Sequence, residues 1–221
     1  LRYEVTNPIN LSSSSFYNPF AGVSEGTLVE PGTYTVQMDY FVDGESTPLV
    51  DANEFTVTLL DNTILPAEDK EAKVRFQRDV ATLQGEINSY SRILSEISDK
   101  IKYFEVAVLR LEKPIEELSS QMKKVKDDLR YINILFYGDN VKRRLDMQQI
   151  PTPSSRVGII ANEQKYSTAA PTGTHVNSLK IAKEEFVPLK SRVDLLVENV
   201  KNIEDKMKSL GAPYTPGRYE N

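Results

Sequence analysis

Three sets of neighbouring carboxylates are the most obvious acid–base equipment in this sequence: Glu112/Glu116/Glu117, Asp127/Asp128 and Glu184/Glu185. A glycoside hydrolase needs two carboxyls roughly 5–10 Å apart across a cleft. All three sets fall in charged, periodic stretches, where carboxylates more commonly form a solvated helix face. The single histidine, His175, follows Pro171-Thr172-Gly173-Thr174 and precedes a helical pattern, which is a capping setting rather than a ligating one. Lys123-Lys124-Val125-Lys126 and Lys142-Arg143-Arg144 could contact phosphates, but Asp127, Asp128, Asp139 and Asp146 dilute them. Phe16, Tyr17 and Phe20 could stack on a sugar, although packing under a loop is the commoner fate of such a trio. There is no cysteine, so disulfides, thiolate zinc sites and cysteine nucleophiles are excluded. One histidine leaves little for a His-based metal or catalytic set, and no glycine-rich phosphate loop is present. The residues therefore nominate no catalytic, cofactor-binding or metal-binding position and no cofactor, and the chain reads as non-enzymatic.

The elements that carry these residues divide near residue 65. The 221-residue chain has 27 basic and 32 acidic residues, a net charge of −5, with no special claim on nucleic acid. Residues 1–65 contain one basic residue, Arg2, and nine acidic ones, which leaves that part at −8 and the remainder at +3. The first part is rich in Thr, Val, Tyr, Pro and Gly. Thr33–Tyr40 alternates, with Tyr34, Val36, Met38 and Tyr40 on one face. Pro31-Gly32 marks a turn before it and Asp43-Gly44 a hairpin turn after it. Phe55–Leu59 alternates likewise and is expected to pair nearby, and Arg2–Thr6 is a further candidate strand. Three or four strands are too few for a sandwich of about seven, so the sheet needs helices over its open face or strands from upstream. The chain opens Leu1-Arg2-Tyr3 without an initiator Met or a signal peptide, and is read as a fragment. No apolar run approaches the roughly 18 residues of a membrane span.

From residue 67 apolar residues recur at alternating spacings of four and three. The series runs Phe76, Val80, Leu83, Ile87, Tyr90, Leu94, Ile97, Ile101, Phe104, Val108, Leu111, then Ile115, Leu118, Met122, Val125, Leu129, Ile132, Phe136, and later Leu179 through Leu210. A period of 3.5 predicts left-handed supercoiling along a narrow seam. The expected helices are about 67–112, 114–136 and 176–210, with short helices and loop over 139–170. Pro66 with Glu68, Asp69 and Glu71 suits a helix start. Gly211 and Pro213 stop the last helix, and Pro188 should bend it. Pro114 either opens the second helix of a hairpin or kinks one continuous helix, and the hairpin is favoured. Leu145, Ile150, Val157, Ile159 and Ile160 are the candidates to cover the part of the first helix that the second leaves bare. The fold class is thus α+β, mainly α: a partial Ig-like antiparallel sheet (1–65) followed by an antiparallel coiled-coil-like bundle of three main helices (66–221).

An ordered set of short motifs resembles the C-terminal region of bacterial BNR/Asp-box repeat proteins, sortilin-type β-propellers usually labelled glycosyl hydrolases. The set is Pro31-Gly32-Thr33-Tyr34-Thr35-Val36 with Asp43-Gly44; Asn62-Thr63-Ile64-Leu65-Pro66; Arg156-Val157-Gly158; Thr168-Ala169-Ala170-Pro171-Thr172; Ala182-Lys183-Glu184-Glu185-Phe186; and Gly211-Ala212-Pro213-Tyr214-Thr215-Pro216-Gly217-Arg218. The resemblance implies that Leu1-Arg2-Tyr3 continues a strand of an Ig-like sandwich and that the propeller lies upstream. No Asp-box is present, since that pattern needs a Trp and the chain has none, so no catalytic residue carries over. What the resemblance implies is a non-catalytic structural or interaction module of an exported protein, periplasmic or secreted. It would pack on or project from the upstream propeller, without nucleic acid or membrane insertion. The alternative is an independent coiled-coil adaptor or homo-oligomerisation domain, suggested by off-seam Val106, Leu109 and Ile134.

Overall fold

The computed structural model describes residues 1–3, 25–60, 65–111 and 115–217. Its elements are β1 (Gly32–Val42), β2 (Glu45–Val57), α1 (Lys70–Val108), α2 (Glu116–Tyr137), α3 (Asn140–Arg144), α4 (Pro153–Gln164) and α5 (Gly173–Ser209). The fold is α+β and mainly α, a two-stranded antiparallel sheet followed by long helices.

The hairpin follows from its turn. Asp43 and Gly44 both take positive φ, 53° and 88°, the pattern of the tight two-residue turn that Asp-Gly favours. Val42 then pairs with Glu45, Tyr34 with Phe55 and Gly32 with Val57. Ladder partners share a face, so Tyr34, Val36, Met38, Tyr40 and Val42 join Phe55 and Val50 on one apolar side. The second strand begins ten residues earlier than the alternation suggested. Register shifts between Val36 and Asp39, together with Pro48, break the period-two pattern over residues 45–54 that would have revealed it. Of the expected first strand, Arg2 forms an isolated bridge with Leu28, and residues 4–6 lie outside the described residues.

The bundle is built on the seam. Val80, Leu83, Ile87, Leu94, Ile97, Ile101 and Phe104 of α1 are buried, as are Leu118 to Phe136 at the seam positions of α2 and Leu179 to Met207 at those of α5. Each large side chain so buried contributes about 1.5–3 kcal/mol relative to exposure. Four contacts between α1 and α5 share one sequence offset of 104: Asp79–Lys183, Glu86–Lys190, Tyr90–Asp194 and Lys100–Glu204. A constant offset means that α1 and α5 run parallel and in register. Surface pairs of this kind contribute about 0–1 kcal/mol each, so the seam holds the helices together and the ladder sets their register. α2 runs antiparallel to both, with Lys126 reaching Glu105 on α1 and Lys206 of α5 reaching Glu117. Pro114, the expected turn, lies outside the described residues.

α1 is about 58 Å long at 1.5 Å per residue, and α2 covers little more than half of it. α4 continues along the same groove beyond α2, with Val157 and Ile160 buried against the core. Ile159, Leu145 and Ile150 do not join them and are exposed. Ile159 lies on the outer face of α4, and the other two lie in the segment that bulges outward between α2 and α4. Pro153, read in the sequence as a break, starts α4 at a first-turn position with Thr152 as its N-cap, where a missing N–H costs nothing.

Helix ends follow their caps. Asp69 accepts from the Ala72 N–H and Thr172 from the His175 N–H, so α1 starts at residue 70 and α5 at 173. At the far end Gly211 takes φ 70°. The Ala212 N–H donates to the Met207 carbonyl and the Gly211 N–H to Lys208, a Schellman closure. Pro188 lies inside α5 without ending it.

Candidate interaction surface

Where the helical seam reaches the hairpin end of the bundle it turns polar. Lys73 and Gln77 continue the α1 spacing backwards from Val80, and both are buried. Lys73, 1% exposed, brings its ammonium to 2.6 Å from the Glu30 carboxylate. Gln77 donates through Nε2 to the Gln164 carbonyl at 3.3 Å. The Gln164 amide lies 3.2 Å from His175 Nδ1, and His175 Nε2 lies 2.5 Å from Glu163. Arg2 donates to the carbonyls of Gly26 and Lys165, pairs with Glu25 at 3.0 Å and lies over the Tyr166 ring. Sequence reading missed Lys73, Gln77 and Gln164, because a count of apolar residues passes over polar ones at heptad positions.

The side chains with chemical potential are distributed rather than brought together. His175 is a cap-region histidine, as expected, tying the start of α5 to the end of α4; its ring partners are a carboxylate and an amide, with no nucleophile between them. Glu116, Glu117, Asp127 and Asp128 lie along α2, and Glu184 and Glu185 along α5. Glu117 pairs with Lys206, Glu184 with Lys180 one turn away, and Glu185 with Arg156 on α4. Glu116 and Asp127 are exposed; Glu112, Phe16, Tyr17 and Phe20 lie outside the described residues. Lys123 and Lys124 are exposed, while Lys126 is paired with Glu105. Among the described residues, no group of three or more His, Cys, Asp or Glu could hold a metal ion.

The hairpin carries a cluster of exposed apolar side chains. An antiparallel sheet ordinarily packs one face on a core, and a lone two-stranded ribbon is marginal in water. Here Val36, Met38 (61% exposed), Tyr40, Phe41 (70%), Leu49 and Val50 face solvent. Five carboxylates and no cation occur over residues 32–57: Asp39, Asp43, Glu45, Asp51 and Glu54. The hairpin is fastened at its base. The Tyr34 hydroxyl donates to the Glu30 carbonyl at 2.7 Å and lies 3.3 Å from the Tyr3 hydroxyl, and its ring stacks on Phe55.

Tyr34 makes that base sensitive to alkali. Burial, then the hydrogen bond and charge of Tyr3 and the charge of Glu30, push its pKa from 10.0 up to about 12. Burial foremost also raises Tyr90, beside Asp194. A phenol held protonated by the fold stabilises it fully below the unfolded value, and that contribution is lost as pH rises through the folded value. Stability is therefore expected to fall between pH 10 and about 12, and Tyr34→Phe to flatten that fall. Urea denaturation at stepped pH, read beside the tyrosinate absorbance, checks this; an unchanged slope in the Phe variant would contradict it.

No family model, no curated protein and no solved structure matches the chain.

Proposed function

We propose that the chain is a non-catalytic structural and interaction module in which the helical bundle is the scaffold and the hairpin is the docking element. The observation that carries this reading is the apolar hairpin face left open to solvent beside a bundle that closes its own core. Contiguous exposed apolar surface rimmed by polar residues marks an interaction site, and strand addition or sheet packing is the usual way to complete such an edge. The motif resemblance supplies the occupant: strands and an upstream β-propeller of a BNR/Asp-box repeat protein, with the hairpin as part of an Ig-like sandwich. The same resemblance implies a location outside the cytoplasm, periplasmic or secreted. Among the described residues no helix is long and apolar enough to cross a membrane.

A second reading, an independent coiled-coil adaptor or homo-oligomerisation domain, rests on Val106 and Leu109. Both are exposed at the end of α1 farthest from the hairpin. Light scattering after size exclusion separates the two, run on the chain alone and mixed with the separately expressed upstream region. A stoichiometric complex with that region, from a chain that is monomeric alone, is the expected result. A self-assembling chain indifferent to the upstream region would favour the adaptor.

A further inference from the structure

The segment between α2 and α4 carries a surface that hairpin docking leaves unused. Val141, Leu145 (65% exposed), Met147 and Ile150 (82%) stand out from the bundle within ten residues. Lys142, Arg143 and Arg144 form one run between Val141 and Leu145, so the crest is apolar and basic at once. A groove flanks it on each side. One, of about 940 Å³ against α1 and α2, is lined by Arg130 and Arg143; the other, of about 690 Å³ against α2 and α5, is lined by Lys142 and Arg192. The carboxylates in these grooves are already engaged. Glu105 is held by Lys126 and Glu185 by Arg156, while Asp139 accepts from the Val141 and Lys142 N–H groups. Residues 139–150 carry three cations against two carboxylates, Asp139 and Asp146, so the crest is net positive by one charge, with Arg130 and Arg192 beside it, on a chain that is net negative.

We propose that the 139–150 crest rests on an anionic lipid surface, with Val141, Leu145, Met147 and Ile150 entering the interfacial layer and Lys142, Arg143, Arg144, Arg130 and Arg192 facing the headgroups. Exposed apolar side chains interleaved with cations characterise interfacial elements that lie on a membrane without spanning it, and basic residues beside a membrane gain from its negative surface potential. The other occupant is an acidic surface with apolar residues of its own, such as the hairpin of a second copy; self-association of the chain that Lys142→Gln, Arg143→Gln and Arg144→Gln abolish would overturn the lipid assignment.

The chain has no Trp, so Ile150→Trp installs a single indole at the most exposed point of the crest. Its emission is followed with vesicles of phosphatidylcholine alone and of phosphatidylcholine containing a quarter phosphatidylglycerol. The expected result is a blue shift, quenched by brominated acyl chains, on the anionic vesicles only and reversed by high salt. Adding Lys142→Gln, Arg143→Gln and Arg144→Gln should weaken partitioning about five-fold per cation removed. All of these positions are exposed, so circular dichroism and melting should match the parent chain. No shift on anionic vesicles, or an equal shift on phosphatidylcholine alone, overturns the proposal. Co-sedimentation without any indole shift also overturns it, because a purely ionic contact is one an acidic protein would make equally well.

Discussion

Glu30→Ala is expected to destabilise the chain by about 3–5 kcal/mol, the cost of leaving one member of a buried ion pair alone. The Lys73 and Glu30 side chains are 2% and 12% exposed and meet at 2.6 Å, so removing the carboxylate strands an ammonium that water cannot reach. Glu30 directly precedes the turn into β1, and its carbonyl also receives the Tyr34 hydroxyl; the residue therefore links the hairpin to α1. In a chain of this size each kcal/mol moves the melting temperature by roughly 2–4 °C. Replacing both partners together, Lys73→Met with Glu30→Leu, should cost far less than the single change, since apolar substitution of a whole buried pair is often neutral or stabilising. Urea denaturation of the two singles and the double is the check. A single-variant loss under about 1 kcal/mol would mean that the pair is solvated and that the hairpin is not held to the bundle through it.

Phe186→Ala should have an effect of the same size, about 3–5 kcal/mol, from lost transfer energy and the cavity left behind. Phe186 is almost fully buried and lies edge-on to Tyr90 at 5.6 Å and to Phe136 at 5.9 Å, so α1, α2 and α5 meet on its ring. Geometry of this kind adds about 0.5–1.5 kcal/mol per aromatic pair beyond the area buried. A double-mutant cycle with Phe136→Ala should therefore return a coupling energy in that range. By contrast Val187→Ala, the neighbouring exposed residue, should change stability by less than about 0.5 kcal/mol. Equal losses at the two positions would mean that the three helices do not close on one seam.

The seam was the most legible feature of the sequence. Residues such as Leu94, Leu118, Val193 and Leu196 are buried where the spacing of four and three places them, because a parallel or antiparallel pair of long helices leaves only that stripe facing inward. The two tight turns were legible for a similar reason, since Asp43-Gly44 and Gly211 supply positive φ at positions that require it. The polar end of the seam was hidden. Lys73 and Gln77 occupy core positions only because Glu30 and the Gln164 carbonyl meet them there, and those partners are 43 and 87 residues away. The second strand was hidden by its own irregularity, with Pro48 and the register shifts interrupting the alternation. Of the candidates to cover α1, only Val157 and Ile160 do so. Spacing within a twelve-residue helix fixes which residues share a face, but not which face meets the groove.

The exposed apolar surfaces were the least legible of all. Alternation in β1 showed that Tyr34, Val36, Met38 and Tyr40 share a face, and nothing local could say that this face would be left open. Exposure depends on which elements pack over it, and the helices pack on one another instead. The carboxylate sets were hidden in the same way, since the partners of Glu185 and Glu117, Arg156 and Lys206, come from other helices.

The proposed docking role requires a bundle that is stable by itself and a hairpin that awaits a covering surface. Native-state hydrogen exchange of the monomeric chain tests this most directly. Amides of α1, α2 and α5 along the buried seam should exchange only through global opening, while those of β1 and β2 beyond the Tyr34–Phe55 pair exchange orders of magnitude faster, as an exposed two-stranded ribbon must. Strong protection of the hairpin in a chain shown by light scattering to be monomeric would contradict the account, because a face that already has its cover has no docking role left to play.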